Sequence, residues 1–395
     1  MKETGLHLAL LFLLGSFGAT AQDKAIEQAA EGNNAFCFEL MQEIYAAGEN
    51  QAFSPFSISS AMAMTYDGAA WRTKRDIGKS MNFHFSRKKN HEAWSDMLDY
   101  FRQLKTSVFH WANAVWAQED FHFEDDFIAG LSDFDAKVEY VDFRNTVERE
   151  KGRKAMNQWV ESKTEDKIRH LLHKDNIDKM TRMVLINAIY FNADWKYQFD
   201  PEKTRTNPFH TRQGDIETEF MTMKSELPFT ETKDFEAVRL PYTDELASMY
   251  ILLPGESSDV EDILKLLDQD GFDAVCSDFE ETKLMFAMPK FKVQARYQLK
   301  QNLVQLGMIA PFAPYANFSG MNGKRNLVID DVIHQAQIEV DEQGTEAAAA
   351  TAVVVREKSA KRPRQFIADK PFVFLIKEHK QGNIIFAGVV ENPEM

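Results

Sequence analysis

Between Glu342 and Thr351 the chain reads Glu-Gln-Gly-Thr-Glu-Ala-Ala-Ala-Ala-Thr, and Ala352-Val353-Val354-Val355 follows before a charged run from Arg356 to Arg364. Alanine is the best helix former, so Glu346 to Ala350 alone suits a turn of surface helix or a linker. The valines favour extended chain instead, because branching at Cβ restricts them in helices and packs well on a pleated surface. Taking alternate residues, one face carries Thr345, Ala347, Ala349, Thr351, Val353 and Val355, while Glu346 and Arg356 stand at the two ends of the other. Gly344 supplies a pivot at the start, and Ala348 and Ala350 add almost no bulk. A segment able to become a buried strand therefore runs straight into a polar loop with the character of a cleavage site.

The rest of the chain sets the context. Lys2, an apolar run from Leu6 to Phe17 and the small-x-small triplet Ala19-Thr20-Ala21 predict a signal peptide over residues 1–21 and a secreted protein. That run is shorter than the ~20 residues a membrane helix needs, so membrane insertion is not expected. The remaining 22–395 contain no Pro/Gly/Ser-rich linker and no internal repeat, which argues for a single large unit although length alone suggests two or three domains. Two cysteines, Cys37 and Cys276, are too few for a disulfide framework and are either free or joined in one bridge. Asn317-Phe318-Ser319 is the glycosylation sequon, with Asn317 the acceptor.

A net charge of −15 disfavours nucleic acid as a partner. Against that background, Arg72, Lys74, Arg75, Lys79, Arg87, Lys88 and Lys89 face only Asp76, forming a basic patch that is either a solvated face or a site for a heparin-like polyanion such as a glycosaminoglycan. Apolar spacing predicts helices over Asn34–Tyr45, Ser57–Tyr66 and Met156–Ile168. Strands are predicted at Asn113–Trp116, Val138–Phe143, Met183–Phe191, Phe235–Leu240, Ser248–Leu253, Lys283–Met288, Gln335–Val340, Phe372–Ile376 and Ile384–Val390. Helices early and strands late make an α+β protein. Catalytic signatures are missing: there is no Gly-x-Ser-x-Gly elbow, phosphate-binding loop or dinucleotide fingerprint. His170 and His173 lack the companions of a metal site, so neither a metal nor another cofactor is assigned.

Set together, Phe53-Ser54-Pro55-Phe56-Ser57-Ile58, Asn187-Ala188-Ile189-Tyr190-Phe191 leading to Trp195, Met288-Pro289-Lys290-Phe291, His334, the Glu342–Thr351 stretch, Lys370-Pro371-Phe372-Val373-Phe374 and Gly382-Asn383-Ile384-Ile385-Phe386-Ala387-Gly388 resemble the serpin family across the whole mature chain. The likeness is to inhibitory members of the antitrypsin and antithrombin type. It implies three sheets and eight or nine helices in one domain, a monomer, and an exposed reactive loop at about 342–366. It also implies no enzyme activity: the protein is a single-use substrate whose cut loop enters the central sheet and traps a serine protease in a covalent 1:1 complex. Ser54, Ser57, Asn187 and His334 then match the polar cluster where the sheet opens, while Trp195 and Lys290, the latter facing Glu342, match the point of loop entry.

Counting along the loop as in the family places the reactive bond at Lys358-Ser359, with Arg356, Lys361 and Arg362 as rivals. A basic residue there suits trypsin-like proteases of a coagulation or immune cascade. Glu357 narrows the targets by charge, and Pro363 hinders cleavage after Arg362. Lys361, Arg362 and Arg364 either meet an acidic protease surface or keep the loop soluble. The competing expectations are a non-inhibitory carrier, chaperone or storage protein on the same scaffold, and an inhibitor of cysteine proteases.

Overall fold

A computed structural model describes residues 21–103, 108–243, 245–345 and 363–395. The signal segment and the loop residues Glu346, Ala347, Ala348, Ala349, Ala350, Thr351, Arg356, Lys358, Ser359, Lys361 and Arg362 lie outside the described residues. No helix among the described residues is long and apolar enough to cross a membrane. Ten α-helices and fifteen strands are present there, in the predicted helix-first, strand-later order.

The six-stranded sheet sets up everything that follows. Its path runs Phe291–Gln298, Ile333–Val340, Met183–Asp194, Val108–Gln118, Ala136–Val141. Ile333–Gln337 lies parallel to Ile186–Tyr190, whereas the two residues Gly344–Thr345 pair antiparallel with Ala193–Asp194 at the far end of the same strand. The Met183–Asp194 strand is buried on both faces, as its mainly apolar composition favours. Met183, Leu185, Ile189, Phe191 and Ala193 join the main core, while Val184, Ile186 and Ala188 join a second cluster with Met156 and Val160 of the Thr146–Lys163 helix. On the main-core side sits the Pro55–Gly68 helix, capped as predicted: the Ser54 hydroxyl accepts from the Ser57 N–H at 3.1 Å, and Pro55 occupies the first turn where no N–H is needed.

The other nine strands form one hydrogen-bonded network, but it has a waist. The eighteen-residue strand Gly214–Glu231 meets its successor Phe235–Pro241 only through Phe229–Glu231. On one side of that junction lie Gln51–Phe53, Ile384–Val390, Phe372–Glu378, Ala247–Pro254 and Phe235–Pro241; on the other lie Arg205–Thr211, Gly214–Glu231, Glu280–Pro289 and Arg364–Ile367. Counting the two halves of this network separately, with the six-stranded sheet, gives the three sheets that the resemblance implied. The loop's far end is thus anchored in a different sheet from its near end, with Arg364–Ile367 parallel to Leu284–Ala287. Both cysteines are free, Cys37 buried and Cys276 partly exposed.

Candidate functional site: the hinge entry and the seam below it

Glu342 to Thr345 is the portion of the hinge that the structure describes, and its geometry follows from residue size. An added Cβ on Gly344 would lie 2.1 Å from the Ala193 carbonyl oxygen and 2.7 Å from the Asp194 Cα, so only glycine can sit against this strand. Asp341 shapes the approach, its carboxylate accepting from the N–H groups of Gln343 at 2.9 Å and Gly344 at 3.2 Å. Thr345 is fully buried, its hydroxyl 2.8 Å from the Tyr242 hydroxyl. Tyr242 stacks on Trp195 with centroids 4.8 Å apart and planes 7° apart. Trp195 in turn donates its indole N–H to the Asp341 carbonyl at 3.0 Å and its backbone N–H to the Gln343 carbonyl at 2.8 Å. Trp195 therefore holds the chain on the entry side of the hinge, where the sequence placed it.

The acidic residue at the hinge base is held by two side chains, Thr204 and Lys290. Glu342 accepts from the Thr204 hydroxyl at 2.7 Å and lies 3.4 Å from the Lys290 ammonium, which also contacts Glu219 at 3.2 Å. Burial pushes the Glu342 carboxyl up, but the Thr204 hydroxyl and the Lys290 charge outweigh it and leave the group below its ordinary range. Nearby, burial first and the Asp341 carboxylate second raise Asp194.

Further down the same strand Ser54, Ser57, Asn187 and His334 come together in one polar cluster. The Ser54 backbone N–H donates to His334 Nε2 at 3.0 Å, and the Ser57 hydroxyl donates to the Asn187 side-chain oxygen. The N-terminus of the Pro55–Gly68 helix therefore bridges the two strands, since His334 and Asn187 are directly opposed across them. Asn187 continues the chain, donating to Asn113 at 2.7 Å on the third strand, and Asn113 donates to the Phe134 carbonyl at 3.3 Å. Because Nε2 accepts, the neutral His334 ring carries its proton on Nδ1. Full burial depresses its pKa to about 3. Tyr242 and Asn113 are the residues that sequence reading missed, since neither stands inside a recognisable motif.

Other sequence expectations need correction. Asn317 is 6% exposed, its side-chain oxygen accepts from the Ser319 N–H at 3.1 Å, and Phe318 is fully buried. The folded chain therefore leaves Asn317 little exposed, contrary to the surface loop expected of a glycosylation acceptor. Arg364 is not free to meet a protease: its guanidinium contacts Glu231 at 2.5 Å and Glu236 at 2.9 Å and lies 4.4 Å over the Phe229 ring. The basic patch is partly neutralised as well. Arg72 and Arg75 flank Asp76 at 3.7 and 3.2 Å, Arg87 donates to the Ala69 carbonyl at 2.5 Å, and Lys88 pairs with Glu92 at 3.7 Å.

Comparison with known proteins agrees with this architecture. The family model "Serpin (serine protease inhibitor)" matches residues 31–393. A serpin-like protein of Methanosarcina acetivorans is 35% identical over 92% of this chain and 86% of its own length. Human leukocyte elastase inhibitor is 33% identical over 93% of this chain and all of its own. The crystal structure of a highly specific serpin from the insect Tenebrio molitor matches with a TM-score of 0.81 and 29% identity, covering 95% of this chain and 100% of that one. The chain belongs to the serpin family, whose members include protease inhibitors.

Proposed function

We propose that this serpin is a secreted inhibitor of trypsin-like serine proteases that works once, by trapping the acyl-enzyme. The observation that carries this reading is the register at the hinge. Gly344 faces Asp194 and Thr345 faces Ala193; continued down the strand, the same register sets Ala347 opposite Phe191, Ala349 opposite Ile189, Thr351 opposite Asn187, Val353 opposite Leu185 and Val355 opposite Met183. All of those partners point to the main core except Asn187, which points to Ser57 on the same side. The incoming strand would be antiparallel to both neighbours, the more stable pairing.

Chemically, the protease serine adds to the Lys358 carbonyl, the Lys358–Ser359 C–N bond breaks, and the Ser359 amine leaves with a proton. The Lys358 carbonyl carbon is then esterified to the protease. Fifteen residues from Gly344 to Lys358 extend ~50 Å, so insertion carries the esterified protease across the length of the sheet before water reaches the ester. Incubation with trypsin tests this: an SDS-resistant 1:1 complex and a new amino terminus at Ser359 are expected. Turnover without complex would leave a non-inhibitory serpin, and a cut elsewhere would move the reactive bond.

A further inference from the structure

The trap makes no use of one face of the Trp71–Ser80 helix. Trp71, Lys74, Gly78 and Lys79 from that helix, with Tyr66 and Phe83, line a cleft of about 510 Å³. Its floor is apolar: Tyr66 and Phe83 meet edge to face at 5.4 Å. Gly78 keeps the floor low, since a Cβ there would stand 3.1 Å from the Tyr66 ring. At the rim, Trp71 is 79% exposed and has φ of +54°, an uncommon conformation for a bulky residue, and the Arg325 guanidinium lies 5.7 Å over its ring. Holding a large ring outward in a strained backbone suits contact with something outside the chain.

The wall is cationic. Lys74 sits 5.0 Å over the Tyr66 ring, and burial together with the Arg87 charge lowers its pKa against the opposing effect of Asp67. Arg75 and Lys79 are both exposed on the same stretch of helix. We propose that this cleft binds a short acidic peptide segment of a partner protein, with an aromatic or aliphatic anchor on the Tyr66–Phe83 floor against Trp71 and carboxylates on Lys74 and Lys79, Arg75 being paired with Asp76. A long polyanion fits less well. It needs a continuous row of unneutralised cations, whereas Arg72, Arg87 and Lys88 are engaged within the chain, and an apolar floor offers nothing to a sulfate. The net charge of −15 opposes the approach of an acidic partner elsewhere on the surface, which confines binding to this patch. Nothing here depends on protease trapping, since none of these residues belongs to the hinge or the seam.

The test is fluorescence anisotropy of the full chain with a fluorescein-labelled nonapeptide carrying four acidic residues around one phenylalanine. Saturable, salt-weakened binding is expected, reduced about tenfold or more by Lys74→Glu, by Trp71→Ala, and by exchanging the peptide's phenylalanine for serine. Trp71→Phe, which keeps a ring at the rim, should hold affinity within about threefold. An unchanged melting temperature in each variant excludes misfolding as the cause. Absence of binding to the wild type, or equal affinity in all variants, overturns the proposal. So does a heparin octasaccharide that binds more tightly than the peptide and is indifferent to Trp71→Ala.

Discussion

At the Asp194 end of the long central strand, the hinge is received by an aromatic stack, Trp195 on Tyr242, and by a glycine that alone can approach the backbone. Around Asn187 the same strand is instead latched to its neighbour by polar groups on the Pro55–Gly68 helix. Dispersion contacts on a ring face tolerate small displacements, so the entry end can take up the first two residues without loss of order. Hydrogen bonds are directional and fail over a few tenths of an ångström, so the seam is either closed or open. In the proposed trap, one end would admit a strand and the other would delay it.

The largest effect should come from corrupting the entry. Thr345→Arg would bury an unpaired charge against Tyr242, at a cost of several kcal/mol, and should convert the inhibitor into a substrate. Persistence of the SDS-resistant complex in that variant would show that the entry does not control insertion. At the seam, Ser57→Ala leaves the buried Asn187 oxygen without its donor and should lower native stability by about 1–3 kcal/mol in urea unfolding. The loop-cleaved form, in which the strands are already apart, should lose less. Equal losses in both forms would mean that the cluster does not guard the seam.

Two histidines give a smaller, pH-dependent contrast. His334 has its folded pKa depressed to about 3, so its contribution is whole above the unfolded value near 6.5 and is lost as pH falls from there toward 3. His91 behaves oppositely. The His91 ring N–H groups donate to the carboxylates of Asp67 at 2.5 Å and Asp133 at 2.9 Å, which raises its pKa to about 9, Asp67 acting most, against the effect of burial, with the Phe134 ring edge-on beside it. That ion pair is fully formed below about 6.5 and lost as pH rises through 9. His334→Gln should flatten the acid limb of a melting-temperature profile and His91→Gln the alkaline limb; a swap of these assignments would refute the reading. The smallest effect belongs to Lys290 and Glu342, one-third and one-tenth exposed, whose double-mutant coupling should not exceed about 1 kcal/mol.

Much of this was legible in the sequence. The Ser54 cap and the largely apolar strand from Met183 state their environments directly, because size and periodicity depend on neighbours along the chain. The strands Arg205–Thr211, Gly214–Glu231 and Phe291–Gln298 escaped notice because their exposed faces are heavily polar, diluting the apolar signal. Sequence pattern also assigned the hinge one buriable face. If the register of Gly344 and Thr345 were continued as the proposed trap requires, Ala348, Ala350 and Ala352 would fall opposite Tyr190, Ala188 and Ile186, and since Ala188 and Ile186 pack with Met156 and Val160 of the Thr146–Lys163 helix, small residues would be needed at both parities. The burial of Asn317 and the pairing of Arg364 with Glu231 and Glu236 join distant parts of the chain, and no local pattern reports them.

The central claim is that the hinge continues down the Met183–Asp194 strand in the register its first two residues set. Amide hydrogen exchange, measured before and after a single cut in the loop, tests this most directly. The account predicts that amides from Glu346 to Val355 become as protected as those of Met183 to Phe191, with a marked rise in melting temperature. Exchange that stays fast in Glu346 to Val355 after cleavage, with an unchanged melting temperature, would contradict it.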